Sequence, residues 1–503
     1  MTAPETLILV AYFFVLSILG IYGWHRYYLV YEYMRNKDKV PGPPPPVSDW
    51  PVVTIQLPIY NEMYVVDRLV DAVCAIDYPR EQLEIQVLDD STDETCEIAR
   101  LAVQRQAGRG FDIHYLRRAD RTGYKAGALD AGLKVARGEF VAIFDADFVP
   151  PTDFLRRTVP YFTVNDRLAV VQARWGHLNY DYSLLTRVQA ILLDGHFVLE
   201  HGARNRSGCF FNFNGTSGVW RRIAIADGGG WQHDTLTEDL DLSYRTQVKG
   251  WRFVFLPDVV APAELPEDMN AFKAQQHRWA KGSIQVALKL WPMLRKAGLP
   301  PDQEKEAFFH LTANIAWVVM IPLTILLPIS CVVRVSHGWF EVLLVDLPFS
   351  VLATLSVLMF YAISQAEQGA SWWQRVKHLP FVMALGIGLS VNNARAVIEA
   401  LMGYETGFVR TPKAGVGGPV ASKASRGAYK ALATFQPLVE LGLAAYMTYG
   451  IAYLIEREVY YSIPFLVLFQ VGFGYVALTS LYEGLRGSVV RWVRVSTPAT
   501  SVE

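Results

Sequence analysis

The chain has 503 residues, room for roughly two to four folding units at the usual 100 to 200 residues per domain. Lys plus Arg number 47 against 48 Asp plus Glu, a formal charge of -1, so no global basic field exists to attract nucleic acid. Hydrophobic residues make up 51% and charged residues 19%, against about 45–50% and about 25% in ordinary soluble domains, and the excess points to membrane segments.

In chain order, residues 7–23 are an uncharged apolar run ended by His25 and Arg26, near the length that crosses a bilayer. No small-residue cleavage site follows, so the run reads as an anchor (1–39) rather than a signal peptide. The proline-rich stretch 40–51 reads as a stiff linker. Across 52–260, short apolar β-branched runs at 52–60, 84–90, 111–117 and 140–147 alternate with helical patterns at 63–76, 93–107 and 124–136. That alternation predicts a largely parallel sheet covered on both faces, an α/β domain. Residues 261–308 read as interfacial helices. The four cysteines, Cys74, Cys96, Cys209 and Cys331, lack CxxC spacing, which argues against a zinc site or disulfide framework and for a reducing compartment.

Apolar blocks follow at 309–333, 340–363, 381–402, 432–455 and 462–483, within a membrane region spanning 309–503. The 381–402 block carries Asn392, Asn393, Arg395 and Glu399, charges that cost a few kcal/mol each at a bilayer centre. It reads as an amphipathic helix lying in the interface, which leaves five spans. The basic segments 25–39, 375–378, 410–430 and 486–494 then share one side, and the positive-inside rule assigns them and the large domain to the cytosol. This fits a bacterial inner membrane or an equivalent plasma or Golgi membrane. If 381–402 spans instead, there are six helices and 410–430 lies outside.

Strands of such a sheet bind ligands beyond their carboxyl ends, and here three of them end in Asn61 and Glu62, Asp89 and Asp90, and Asp145 and Asp147. Two carboxylates at one strand end repel unless a cation lies between them, and oxygen-only ligation suits Mg2+ or Mn2+; taken alone, the pair is a weak signal that a solvated strand end explains better by about two to one. Asp234, Glu238, Asp239 and Asp241 crowd a helix start within eight residues. Helix-dipole and capping effects account for one or two of them, and Asp239 is the candidate general base. Gln275–Trp279 with Lys281 reads either as a basic interfacial helix or as a site where Arg278 offsets diphosphate charge and Trp279 meets a sugar ring. Lys125 opens a helix after Arg121-Thr122-Gly123, which suits phosphate or plain packing. Residues 210–218 mix aromatics, amides and glycines, as a carbohydrate rim or a buried turn would. No GxGxxG, GxxxxGK[ST] or HxxxH pattern is present.

Taken together, QLPIYNE (56–62), QVLDDSTDET (86–95), KAGAL (125–129), AIFDADFVP (142–150), VQARW (171–175), FNGTSGVWR (213–221), TEDLDL (237–242) and QQHRW (275–279) resemble the family 2 glycosyltransferase membrane synthases. Within that family they are most similar to the plant cellulose synthase-like A and C groups and their bacterial relatives. The resemblance implies a GT-A nucleotide-sugar-binding domain inserted between membrane helices, with a divalent metal, Mg2+ or Mn2+. It implies that Tyr60 and Glu62 contact base and ribose, Asp90 the base, Lys125 the nucleotide side, and Asp145 with Asp147 the metal diphosphate. It further implies Asp239, beside Glu238, as base, and Gln275, Arg278 and Trp279 at the diphosphate and acceptor end. FVRTPK (408–413) is similar to the gating loop of cellulose synthases at Phe408, Thr411 and Lys413, within a loop at 403–430, with Arg410 departing from its valine. The implied activity is an inverting transfer that builds a β-linked glucan, mannan or glucomannan from UDP-glucose or GDP-mannose and passes the growing glycan through the membrane. The competing expectations are a single transfer to a membrane lipid and, less favoured, a non-catalytic channel or scaffold.

Overall fold

The computed structural model describes residues 1–44, 46–338, 348–349, 351–369, 372–405, 415 and 435–496, with side chains described as far as 485. Strands β1 (Val53–Ile59), β2 (Leu83–Asp89), β3 (Asp112–Arg117), β4 (Phe140–Ile143), β5 (Leu168–His177), β6 (Gly218–Arg221) and β7 (Arg252–Ala263) form one sheet in the order β3-β2-β1-β4-β6-β5-β7. β1 runs parallel to β2 and β4, β2 to β3, and β5 to β7. β6 alone is antiparallel to its neighbours β4 and β5. Its reversal follows from where it starts: Ser217 N–H donates to Ile143 O at 2.8 Å, so the chain enters β6 at the carboxyl edge of β4 and must run back.

Both faces of the sheet are buried, which is why its strands read as nearly continuous apolar runs. With the two-residue period of a strand, Phe140, Ala142 and Phe144 enter one core while Val141 and Ile143 enter the other. Helices α2 (Val66–Cys74) and α3 (Thr95–Ala107) cover the first face, and α4 (Tyr124–Leu133) covers the second. Thr54 and Gln56 are fully buried polar exceptions. Across the β1–β2 pair Thr54 Oγ1 donates to Glu84 at 2.5 Å and Gln56 Nε2 to Gln86 at 3.0 Å.

Before the sheet lies α1 (Ala3–Arg35). After it come α5 (Leu184–Asp194, inserted between β5 and β6), α6 (Glu238–Val248, before β7), α7 (Met269–Lys296), α8 (Pro301–Thr312), α9 (Ile315–Ser336), α10 (Val351–Ala366), α11 (Leu379–Leu401), α12 (Gln436–Glu456) and α13 (Ile463–Ser496). Among the described residues five helices are long and apolar enough to cross a membrane: α1, α9, α11, α12 and α13 as far as Leu485. The number matches the expected five spans, but the membership differs. The helix expected in the interface, 381–402, is among them as α11. The expected span 340–363 falls largely on α10, a shorter apolar helix over its described residues.

Of the polar residues that argued against α11 crossing, Asn392 and Glu399 are met by α7, whereas Arg395 pairs with Glu399 of its own helix at 2.8 Å. Asn392 Nδ2 donates to Lys273 O at 2.9 Å, and Glu399 binds Lys281 Nζ at 3.1 Å and His277 at 3.2 Å. A polar end met by another helix carries little of the cost that the same residues would have against lipid. The gating-like residues Phe408, Thr411 and Lys413 lie outside the described residues.

α11 and α13 cross where small residues let their backbones touch. A Cβ at Gly388 would lie 2.3 Å from Gly472 O, and one at Gly472 2.3 Å from Ala384 O. Gly388→Val is therefore expected to destabilise the purified protein in detergent by roughly 1–3 kcal/mol, read as a lowered Tm. Gly442→Val, at a site with open space within 4 Å, serves as control. Equal effects of the two would mean that the crossing is not close-packed.

Candidate functional site

Beyond the carboxyl ends of β1, β2 and β4 a crevice of about 210 Å³ opens. Tyr60, Glu62, Asp90 and Lys125 line it at one end. Asp145, Asp147, Glu238, Asp239, Gln275, Arg278 and Trp279 line the rest. Parallel strands bring the first set and the aspartates to one edge; the starts of α6 and α7 bring the others.

At the first end, Asp90 accepts from Arg118 Nε at 3.0 Å, and Arg118 also donates to Thr122 O at 2.8 Å. The guanidinium thus pins the loop that leads into α4. Arg121 lies over the Tyr60 ring, 3.2 Å from its centroid. Neither arginine was singled out from sequence as a ligand-binding group; the only signal was their position beside the Thr122-Gly123 helix start. Asp89, grouped with Asp90 by sequence, is instead fully buried and structural, accepting from Tyr115 OH at 2.6 Å and Ser91 N at 2.9 Å.

Lys125 links this end to the rest of the crevice: its Nζ donates to Asp145 Oδ1 at 2.5 Å and to Gly215 O at 2.8 Å. Burial works to lower the Lys125 pKa, but Asp145, Glu238 and Asp239 outweigh it and hold it above its ordinary value. Gly215 has φ +76, and a Cβ there would lie 2.9 Å from Asp239 Oδ2, so both backbone and space require glycine.

The crowded acids of α6 divide cleanly. Asp241 pairs with Arg245 at 2.7 Å and Lys289 at 3.0 Å, and Asp234 pairs with Lys289 at 2.6 Å; these two are structural. Glu238 and Asp239 face the crevice. Asp239 Oδ1 accepts from Leu240 N at 2.8 Å, yet burial, then the neighbouring Glu238, push its pKa up to about 7 against the pull of Lys125. Burial pulls Arg278 below its usual value, opposed by Glu238, Asp145, Asp239 and Asp147. A carboxylate that exchanges a proton near neutrality beside two cations can act as a general base next to an anionic leaving group.

Among the described residues no group of three or more His, Cys, Asp or Glu side chains is disposed to hold a metal ion by itself. Asp145 and Asp147 offer a two-carboxylate, oxygen-only donor set, which fits a hard divalent cation whose remaining positions are filled by phosphate oxygens and water.

The crevice opens into a second cavity of about 720 Å³, with Trp175, Asn214, Thr237, Asp239, Gln275 and Trp279 in the walls of both. The larger space runs between α1, α9, α10, α11 and α13, past Leu16, Met320, Leu323 and Phe469 to Arg334.

A family model described as "Glycosyltransferase like family 2" matches residues 51–282, the stretch that builds the sheet, α6 and the Gln275–Trp279 segment. This segment, a little under half of the chain, is thus similar to the family 2 glycosyltransferases. Among curated proteins, glucomannan 4-beta-mannosyltransferase 1 of Oryza sativa subsp. japonica is 46% identical over 259 residues, 50% of each chain. Glucomannan 4-beta-mannosyltransferase 2 of Arabidopsis thaliana is 43% identical over 296 residues, 56% of this chain and 55% of that one. The chain thus spans about half the length of the curated relatives it matches. Among solved structures, the mannosyltransferase PcManGT from Pyrobaculum calidifontis, in complex with GDP-Man and Mn2+, is similar in fold. Its TM-score is 0.52 at 19% identity, over 78% of this chain and 99% of that one.

The raised Asp239 has a consequence for stability. A carboxyl whose folded pKa exceeds its unfolded value disfavours folding once it must ionise in place. The penalty is absent below about pH 4, grows through the interval up to about 7 and is complete above it. Asp239→Asn carries no such penalty, so its Tm should exceed that of the wild type at pH 8 and match it more closely at pH 5. A difference independent of pH would mean that Asp239 ionises normally.

Proposed function

We propose that this protein is an integral-membrane, inverting hexosyltransferase that builds a β-linked glycan from a nucleotide-activated sugar and feeds the product into its own membrane cavity. The observation that carries the reading is the position of Asp239. It titrates near neutrality and lies in the walls of both the crevice and the cavity, where a donor in the first would meet an acceptor in the second. Asp239 takes the proton of the acceptor hydroxyl, and that oxygen bonds to the anomeric carbon on the face opposite the diphosphate. The carbon–oxygen bond to the diphosphate breaks, and Arg278 and Lys125 hold the departing nucleoside diphosphate. One displacement inverts the anomeric configuration. Tyr60, Glu62 and Asp90 hold the base and ribose, Gln275 and Trp279 the acceptor end. A divalent cation, Mg2+ or Mn2+, held by Asp145 and Asp147, would neutralise diphosphate charge.

The names of the plant relatives and the GDP-Man bound to PcManGT favour GDP-mannose over UDP-glucose, and a mannan or glucomannan product. The basic flanks of the apolar helices favour a cytosolic catalytic domain. The apolar cavity walls also suit a lipid-linked acceptor, so the test must separate the two products.

Purified protein in detergent is incubated with radiolabelled GDP-mannose or UDP-glucose and Mg2+ or Mn2+. Label is then divided between ethanol-insoluble material sensitive to β-1,4-specific hydrolases and an organic extract. Polymer carrying the label is expected; label only in the organic extract, one sugar per acceptor, would replace the polymer reading with a lipid transferase. In the same assay Asp239→Asn is expected to lose activity by about 10²-fold or more. The wild-type kcat/KM should rise with pH to a plateau above about 7 as Asp239 loses its proton. Asp147→Ala, and wild type with chelator, should both be inactive; full activity with chelator would remove the metal from the scheme.

A further inference from the structure

The approach to α11 carries basic side chains that neither the crevice nor the cavity uses. A short helical turn, Trp372–Val376, leads through Lys377 and His378 into α11 at Leu379. It follows closely on Glu367 at the end of α10, which binds Lys37, just past the end of α1, at 2.7 Å. The turn therefore lies near the ends of two apolar helices, on the side of the sheet domain. Trp373 is 71% exposed and Phe381 44% exposed, apolar surface of the kind found where the polar boundary of a membrane meets a protein.

Apolar packing fixes the arrangement. Leu379 and Val382 of α11 share one buried cluster with Leu185 and Val188 of α5, and Val376 packs against it, which sets Arg187 of α5 beside Lys377 and His378. Arg375 lies over the Tyr180 ring, 4.9 Å from its centroid, and pairs with Asp194 at 3.4 Å. Arg187 pairs at 3.4 Å with Asp181, a carboxylate that stands largely in solvent. The side chains of Lys377 and His378 have no hydrogen bond or ion pair among the described residues. Burial, then the charges of Lys377 and Arg187, pull His378 below its ordinary value, and no carboxylate among the described residues opposes them. Cations gathered in this way repel one another unless an anion comes between them.

The occupant must bring negative charge to the basic side chains and hydrocarbon to Trp373 and Phe381. A free anion has no hydrocarbon to offer. An acidic protein would have to reach a surface that borders lipid. A phospholipid with a net negative charge brings both groups at the right separation, since its phosphate sits directly above its acyl chains.

We propose that Arg187, Lys377 and His378 bind the phosphate of an anionic phospholipid in the leaflet next to the sheet domain, with Trp373 and Phe381 beside its upper acyl chains. Met269 and Phe272 of α7 belong to the same buried cluster as the start of α11, so a bound lipid braces the helix that carries Arg278. The inference does not rest on the transferase reading.

The full chain, purified in detergent and stripped of lipid, is titrated with dioleoyl-phosphatidylglycerol, with zwitterionic dioleoyl-phosphatidylcholine or with inorganic phosphate. Two quantities are read: Tm, and the lipid retained in native mass spectrometry. Phosphatidylglycerol is expected to raise Tm and to be retained in preference to phosphatidylcholine, while inorganic phosphate at the same concentration does not raise Tm. Each basic charge near a membrane surface is worth roughly fivefold in affinity, so Arg187→Ala with Lys377→Ala should weaken phosphatidylglycerol binding roughly 25-fold, and Lys377→Arg should keep it within about twofold of wild type. Should the double variant fail to fold, Lys377→Gln alone carries the test, with a loss of roughly fivefold. Arg295→Ala with Lys296→Ala, at exposed basic positions near the end of α7, is the control for unspecific attraction and should leave binding unchanged. Equal effects of the two lipids, undiminished binding in the Arg187 and Lys377 variants, or an equal loss in the control would overturn the site. A full Tm gain with inorganic phosphate alone would overturn it as well, by showing an anion site without lipid. None of these quantities depends on sugar transfer, so the lipid site and the transferase reading stand or fall separately.

Discussion

Mutual repulsion among Asp145, Asp147, Glu238 and Asp239 is the constraint around which the sheet domain and its crevice are arranged. Four carboxylates converge on one crevice, and enclosing like charges together is tolerable only with cations among them or with a proton retained. Both remedies are visible. Lys125 and Arg278 feel the pull of these acids, and Asp239 keeps a proton up to about pH 7. The supports of the two cations differ. Lys125 is delivered by α4 from within the sheet domain, whereas Arg278 sits on α7, whose packing partners include the membrane helices α11 and α13. The charge balance of the site therefore depends on both halves of the molecule.

That dependence explains why the junction at α7 is polar. Lys273 is buried against Glu440 of α12 at 2.7 Å, and Lys281, fully buried, against Glu399 of α11 at 3.1 Å. Buried ion pairs contribute little net stability compared with apolar packing, yet breaking one by removing a partner is strongly destabilising. Placed on either side of Gln275–Trp279, they penalise any rotation or slide of α7 against the membrane helices. An apolar junction of equal stability would tolerate a one-turn slip that carries Arg278 away from the four carboxylates.

Much of this was legible in the sequence because the sheet is buried on both faces. The apolar runs at 52–60, 84–90, 111–117 and 140–147 have one comfortable structure, and parallel pairing then sends their acidic ends to one edge. What was not legible depends on partners distant in sequence. Nothing local distinguishes Glu238 and Asp239 from Asp234 and Asp241; Lys289, on α7 and 55 residues beyond Asp234, makes the difference. Asn392 and Glu399 suggested an interfacial helix because their partners, Lys273 and Lys281, lie more than a hundred residues earlier.

The contrast between the two ends of the cavity beside Asp239 has a physical logic on the proposed function. A glycan that advances by one sugar after each addition must be held in register where bonds form and must slide everywhere else. Directional hydrogen bonds create discrete minima and suit the first task. Apolar walls such as Leu16, Met320, Leu323 and Phe469 contact the C–H faces of pyranose rings by dispersion, which is weak per atom and nearly insensitive to register. Passage through a pore requires binding favourable enough to admit the chain and shallow enough to release it. Asp239, Gln275 and Trp279, in the walls of both crevice and cavity, confine the polar contacts to one end and meet both demands, because the deepest minimum then lies where the next displacement occurs.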